Sequence, residues 1–251
     1  MVIIGLCGAI GHGKTTLGGY LAGQTNDSLV TESSHLIIEV ANALVSSSQT
    51  TPSSSNLEAI NIWLQPLPAI LKETVMRSVR FDQLKLSQDQ LAKDPENYQK
   101  LFEFLDQLGS SKLQSFPINV QNKRLYRGLL QWLGGYLVQK VDPGIWFDEI
   151  IRRLLVMPKQ PALAIIGGVR FPADAERIRK QSGYIVEIVR SEIEFIDSQD
   201  ITERQRTSIH PDCVVYNNGT LQDLRSCTKQ LYIDTIQGRL QKSYHSHVSK
   251  V

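Results

Sequence analysis

Eight residues near the start, Gly8-Ala9-Ile10-Gly11-His12-Gly13-Lys14-Thr15, restrict what this chain can fold into more than any other stretch. They satisfy the phosphate-loop pattern G-x-x-x-x-G-K-[ST] and lie directly behind the apolar run Val2-Ile3-Ile4-Gly5-Leu6. A loop that wraps a triphosphate must bring successive backbone N–H groups within reach of phosphate oxygens. Gly8, Gly11 and Gly13 keep that approach open and permit positive φ. Thr15, Thr16, Leu17, Tyr20 and Leu21 then read as the first turns of a helix whose positive end faces the same anion. Lys14 is expected on the β and γ phosphates, and the Thr15 hydroxyl on a Mg²⁺ ion that also takes phosphate oxygens. The expected fold is α/β, a doubly wound parallel sheet of the P-loop NTPase kind.

Length and charge narrow the rest. A chain of 251 residues can bury a full core in one α/β domain that carries a helical insertion. With a formal net charge of +2, nothing calls for a polyanionic partner such as nucleic acid. Cys7, Cys213 and Cys227 are widely spaced, without a C-x-x-C pair, and read as reduced structural residues. The opening apolar run is short, lacks a basic leader and runs straight into the loop. The reading is therefore neither a signal peptide nor a membrane span, and the expected location is the cytoplasm, the host's if the chain is viral.

Along the chain, Ser28 to Thr31 reads as a second strand and Ser34 to Leu44 as a helix, with His35 either near substrate or simply at the surface. The stretch from Ser46 to Ser55 is low in complexity and reads as a mobile loop. Helical spacing recurs from Leu67 to Val79, from Tyr98 to a C-cap at Gly109, from Leu125 to Leu137, and from Ile150 to Leu155 before Pro158. Ala162 to Ile166 is a continuous apolar run, as expected for a central parallel strand. A helix from Pro172 to Ser182, a strand from Tyr184 to Val189, a last strand from Cys213 to Tyr216 and a closing helix from Thr220 to Ile236 complete the reading. The expected organisation is a nucleotide-binding core of 1–33 and 158–240, a mainly helical substrate-side insertion of 34–157, and a flexible tail of 241–251. In that tail His245 and His247 make at most a poor metal site.

Beyond the loop, three stretches carry a resemblance to a known family. Arg127-Gly128-Leu129-Leu130-Gln131-Trp132-Leu133-Gly134, continuing to Asp142-Pro143-Gly144-Ile145-Trp146, is similar to a segment R-x-L-L-Q-x-L-G … P-x-x-W. Gly168-Val169-Arg170-Phe171-Pro172-Ala173-Asp174-Ala175-Glu176 is similar to D-V-R-F-P-N-E-A-E, and Asn217-Asn218-Gly219-Thr220-Leu221 to N-N-G-T-L. Together with the loop, and in this order, they resemble the deoxynucleoside monophosphate kinases of bacteriophages, within the wider nucleoside monophosphate kinase and dephospho-CoA kinase group. Residues 46–120 show no such match.

The resemblance implies transfer of the ATP γ-phosphoryl group to a deoxynucleoside monophosphate, with Mg²⁺ as the ion. Such a reaction asks mainly for alignment and charge neutralisation. It implies Lys14, Arg170, Arg204 and Arg206 as catalytic cations, the last two in a closing lid or else merely solvated. ATP contacts fall to residues 8–16, including Ala9, Ile10, His12 and Thr16, with Asn217, Asn218 and Gly219 flanking the adenine. Arg127 and Gln131, at i, i+4 spacing on one helix face, would hold the monophosphate or its base; Trp146 reads as pocket wall or core. The partners are nucleotide substrates, with a homodimer admitted, and neither nucleic acid nor membrane.

The chain departs from the family pattern in places. Gly167-Gly168 stand where the family carries acids at the end of the central strand, Gly135-Tyr136 replace small polar and acidic residues, and Gln139 beside Lys140 replaces an arginine. A missing carboxylate there weakens the hold on the metal's water shell. Two further readings stay open beside the kinase: a nucleotide-binding regulatory or assembly module that has lost transfer, and a kinase for another small acceptor.

Overall fold

The computed structural model describes residues 1–47, 52–75, 84–110, 116–191 and 206–246. They form two compact units, one of Met1–Ser33 with Ile150–Val251 and one of Ser34–Glu149.

The first unit is built on six parallel strands: β1 (Val2–Cys7), β2 (Ser28–Glu32), β3 (Leu163–Gly167), β4 (Tyr184–Val189), β5 (Cys213–Asn217) and β6 (Ser243–Ser246). Their order in the sheet is β2-β3-β1-β4-β5-β6. From β1 the chain goes first to the edge strand β2, returns to place β3 between β2 and β1, and then crosses β1 to build outward through β4, β5 and β6. The carboxyl end of β1 is thus the point where strand order reverses, the place such sheets offer to ligands. β3 is buried at every position, and β1 at all but its first, as their unbroken apolar runs require.

Both faces of the sheet are covered. A Cβ on Gly5 would fall 2.4 Å from Ile178 Cδ1 on α9 (Pro172–Lys180). On the opposite face, a Cβ on Gly18 of α1 (Lys14–Ala22) would stand 3.3 Å from Leu6. The Arg225 guanidinium of α10 (Leu221–Ile236) lies over the ring of Tyr20 on α1, 5.0 Å from its centroid. All three cysteines are free and buried in this unit, and loss of hydration pushes Cys7 and Cys213 up to about 12 and Cys227 to about 11. They are kept as thiols.

The tail is corrected. Ser243–Ser246 is not frayed but a sixth strand, so Cys213–Asn217 is not the last one. Its signal is weak because an edge strand needs only one apolar anchor: Tyr244 is buried and its hydroxyl donates to Asp234 at 3.1 Å. The His245 ring stacks on Tyr216 at 4.7 Å, which gives it a packing role. Its expected companion His247 lies outside the described residues.

The second unit is helical. It contains all but the first residue of α2 (Ser33–Ser47), then α3 (Leu57–Leu64), α4 (Leu67–Thr74), α5 (Gln88–Lys93), α6 (Pro95–Gly109), a 3₁₀ turn (Lys123–Tyr126), α7 (Arg127–Lys140) and the start of α8 (Ile145–Leu155). α4 stops at Thr74, and the expected continuation to Val79 lies outside the described residues. Ser46 and Ser47 belong to α2 rather than to a loop, and 48–51 are likewise outside. Aromatic rings fill the interior: Trp132 stacks on Tyr136 at 4.8 Å, and Phe104 lies between Trp63 and Tyr126. α6 and α7 come close because Gly128 has no side chain; a Cβ there would fall 2.4 Å from the Lys100 carbonyl.

Candidate functional site

The loop between β1 and α1 has the geometry that its glycines predict. Gly8, Gly11 and Gly13 take φ of 138°, 85° and 104°, all in the region that L side chains avoid. Gly8 has a second constraint, since a Cβ on it would fall 2.4 Å from the backbone oxygen of Ile188 on β4. The loop is pinned from two strands. The His12 ring is buried, its Nδ1 lying 3.2 Å from the Ile188 carbonyl and 3.3 Å from the Arg190 N–H, so either tautomer finds a partner. Burial, and then the nearby Lys14 and Arg206 cations, hold its pKa below the ordinary 6.5. From β5, Asn217 Nδ2 donates to the His12 carbonyl at 2.9 Å.

The mouth of the loop is left to an anion. α1 is capped by Gly13, with no side-chain cap and no acid in its first turn. Its first amides are therefore not claimed by a capping side chain. Lys14 Nζ donates to the carbonyls of Gly8 and Ala9, at 2.7 and 2.8 Å, and so lies back across its own loop. Thr15 and Thr16 open the helix behind it, while Ile10 projects at the loop tip, 59% exposed.

The flank is organised by Asn218 and Gly219. Asn218 Oδ1 accepts from the Ser191 N–H at 2.9 Å, and its Nδ2 donates to Ser191 Oγ at 3.1 Å, joining the exits of β4 and β5. The Gly219 N–H donates to Ser246 Oγ, which in turn donates to the Tyr216 carbonyl at 2.8 Å. β6 thus fastens this turn. Thr220 and Asp223 form a reciprocal capping box that starts α10.

The cations expected at the sheet's carboxyl edge fare differently. Arg170 follows β3, and its backbone N–H is bound by Asp174 Oδ2 at 3.1 Å. Arg206 is nearly buried, and its Nη1 donates to Glu187 at 2.9 Å. Glu187 is the register partner of Cys7, the last residue before the loop, so this pair sets a guanidinium beside the loop entrance. Arg204 lies outside the described residues. His35 is exposed on α2.

The two glycines at the end of β3 each have a structural reason. Gly167 is the register partner of Glu32 on β2, and a Cβ on it would stand 2.9 Å from Glu32 Cγ and 3.3 Å from Oε1. Gly168 has φ of 80°, and its Cβ would fall 2.5 Å from Ser33 Oγ. The glycine pair admits the β2 end against β3. Asp174, the next acid along the chain, is committed to the start of α9. Its Oδ2 accepts from the Arg170 and Phe171 amides at 3.1 and 3.0 Å and caps α9. Burial raises its pKa to about 7, outweighing the amides and the arginines Arg177 and Arg170, which favour the charged form.

In the helical unit, Arg127 and Gln131 line one cavity of about 160 Å³ with Arg124, Lys100, Glu103 and Gln107. Three cations against the one acid, Glu103, leave the cavity positive on balance, which suits a phosphate or carboxylate ligand. Gly128 makes the cavity by letting α7 approach α6. Lys100, Glu103 and Gln107 were missed by the sequence reading, although they share one face of α6 at helical spacing. Of the two readings of Trp146, pocket wall or core, the structure gives core. It is buried, its indole N–H donating to the Gly134 carbonyl at 3.3 Å, and it does not line this cavity.

A parallel sheet with a glycine-rich loop at its order-reversal point, and an uncapped helix behind the loop, is the architecture of the P-loop kinases. The family model for deoxynucleotide monophosphate kinase matches residues 53–228, and the chain belongs to that family. No curated protein matches it. The matched span crosses residues 53–120, which seemed unlike the family in sequence, and it begins beyond the phosphate loop. Loop and family match are therefore independent observations. No helix among the described residues is long and apolar enough to cross a membrane.

Proposed function

We propose that the chain transfers the γ-phosphoryl group of ATP to a deoxynucleoside monophosphate, yielding the diphosphate. The single observation that carries the donor assignment is the loop. Three glycines at positive φ, the first amides of α1 without a capping side chain, and an ammonium folded over them make a site for a polyphosphate. Lys14 would exchange its two carbonyl partners for phosphate oxygens. Asn217, Asn218 and Gly219 would border the adenine. Arg206, oriented by Glu187, and Arg170 would meet charge on the transferred group.

A Mg²⁺ ion bound with the triphosphate would supply positive charge to offset the phosphates during transfer. Hard oxygen donors suit it, and the Thr15 hydroxyl at the start of α1 is one. Arg127 and Gln131, with Arg124 and Lys100, would hold the acceptor's phosphate in the helical unit.

A coupled assay of ADP release, run with ATP against each of the eight common ribo- and deoxyribonucleoside monophosphates, tests this reading. ADP should appear with one or a few deoxynucleotides, and Lys14→Ala should abolish it. Nucleotide binding without product from any acceptor would overturn the transfer reading.

A further inference from the structure

We propose that Glu32 supplies the carboxylate that the end of β3 lacks, so that the metal of the bound nucleotide is held from β2. The proposal rests on the donor-site reading above and deepens it. Leu6, Gly167 and Glu32 stand at one level across β1, β3 and β2, joined by direct register pairs. The phosphate loop begins two residues beyond Leu6. An acid on β3 at position 167 would therefore stand next to the strand that feeds the loop. Position 167 has no side chain, but the space is not empty. The Glu32 side chain occupies it: Cγ, Cδ and Oε1 lie 2.9, 3.3 and 3.3 Å from where the Cβ of residue 167 would be. The carboxylate is delivered laterally from the neighbouring strand to the place where a short β3 acid would stand.

Glu32 and the other acids near this edge all have partners within the chain, and it is position that sets Glu32 apart. Asp174 Oδ2 takes the two amides that start α9. Glu187 is paired with Arg206 at 2.9 Å. Among the described strands only β2 and β4 carry an acid at or near the carboxyl end, and β4's is Glu187. Glu32 is half-buried, which leaves it reachable by water. A carboxylate so placed accepts hydrogen bonds from the water shell of Mg²⁺, an ion that dehydrates reluctantly. Gly167 is then an accommodation to Glu32 and no sign of lost chemistry.

The test uses Mn²⁺ as a paramagnetic probe, with ADP and with a non-hydrolysable ATP analogue, on the full chain. Metal retention is read by electron paramagnetic resonance, and nucleotide affinity in EDTA by displacement of a fluorescent nucleotide. Glu32→Gln should weaken Mn²⁺ retention by about tenfold while leaving metal-free nucleotide affinity unchanged. The double variant Glu32→Ala with Gly167→Asp should recover most of that loss, because the removed side chain makes room for an acid on β3. Gly167 is suited to the exchange, since its φ is not in the left-handed region. Unchanged Mn²⁺ retention in Glu32→Gln, an equal loss of metal-free nucleotide binding, or no recovery in the double variant would each overturn the assignment. Failure of the unaltered protein to bind any nucleotide would overturn the donor-site reading, and this assignment with it.

Discussion

Replacing Gly8 by alanine attacks the loop where two constraints coincide. At φ of 138° an L residue sits in a sparsely populated region, at a cost of about 1–3 kcal/mol. The new methyl would also lie 2.4 Å from the Ile188 oxygen, well inside an ordinary C···O contact of about 3.3 Å. Ile188 cannot retreat freely, because it is paired with Val215 on β5. Overpacking of this kind costs a further 1–3 kcal/mol or so. The expected destabilisation is about 4 kcal/mol, a large share of the roughly 5–15 kcal/mol that holds a domain folded. The buried thiols of Cys7, Cys213 and Cys227 all lie in the sheet unit and report its opening. Thiol labelling under native conditions should accelerate by roughly a thousandfold, since each 1.4 kcal/mol or so is a factor of ten. Gly13→Ala is the control. Its φ of 104° is also strained, but its methyl meets Asn217 Nδ2 at 2.7 Å, the end of a side chain that can swing away. It should cost about 2 kcal/mol and also lose the Asn217 tether to His12. An acceleration below about tenfold in Gly8→Ala, or equal effects of the two substitutions, would refute the argument from backbone crowding.

Two further outcomes follow from the electrostatics. Because burial lifts the Asp174 carboxyl from 3.8 to about 7 in the folded chain, its contribution to stability is fully present below the ordinary carboxylate range. It is lost as pH rises towards 7. Asp174→Asn keeps an acceptor for the two amides and carries no titration, so the stability of the sheet unit, read by thiol labelling, should become flatter between about pH 4 and 7; an unchanged slope would refute the assignment. Arg127→Ala should weaken binding of a deoxynucleoside monophosphate by about ten- to a hundredfold in calorimetry, the worth of a charge-assisted hydrogen bond, while leaving ATP affinity intact. Equal loss of both ligands would remove the cavity as the acceptor's site.

Features that announce themselves locally were legible in the sequence. The phosphate loop is a fixed spacing, β3 and β4 are apolar runs, and α6 and α7 repeat at helical period. What escaped depends on partners distant in the chain. β6 is polar and exists because β5 offers it a ladder, with Tyr244 and Ser246 as its anchors. α5 buries no residue and shows no apolar stripe. Glu32 lies just past the strand as read to Thr31, and only the register Glu32↔Gly167 shows where its carboxylate goes. The cavity around Arg127 needed α6 beside α7, an approach that hangs on the absent side chain of Gly128.

The crowding between positions 32 and 167 also shapes how such a sequence can change over generations. A mutation that places an acid at residue 167 arrives against an occupied site, and one that first removes Glu32 leaves the site without either carboxylate. Each single step is disfavoured, so the pair acts as a ratchet. Sequences with a glutamate at 32 should therefore keep the glycine at 167, and the two positions should change together.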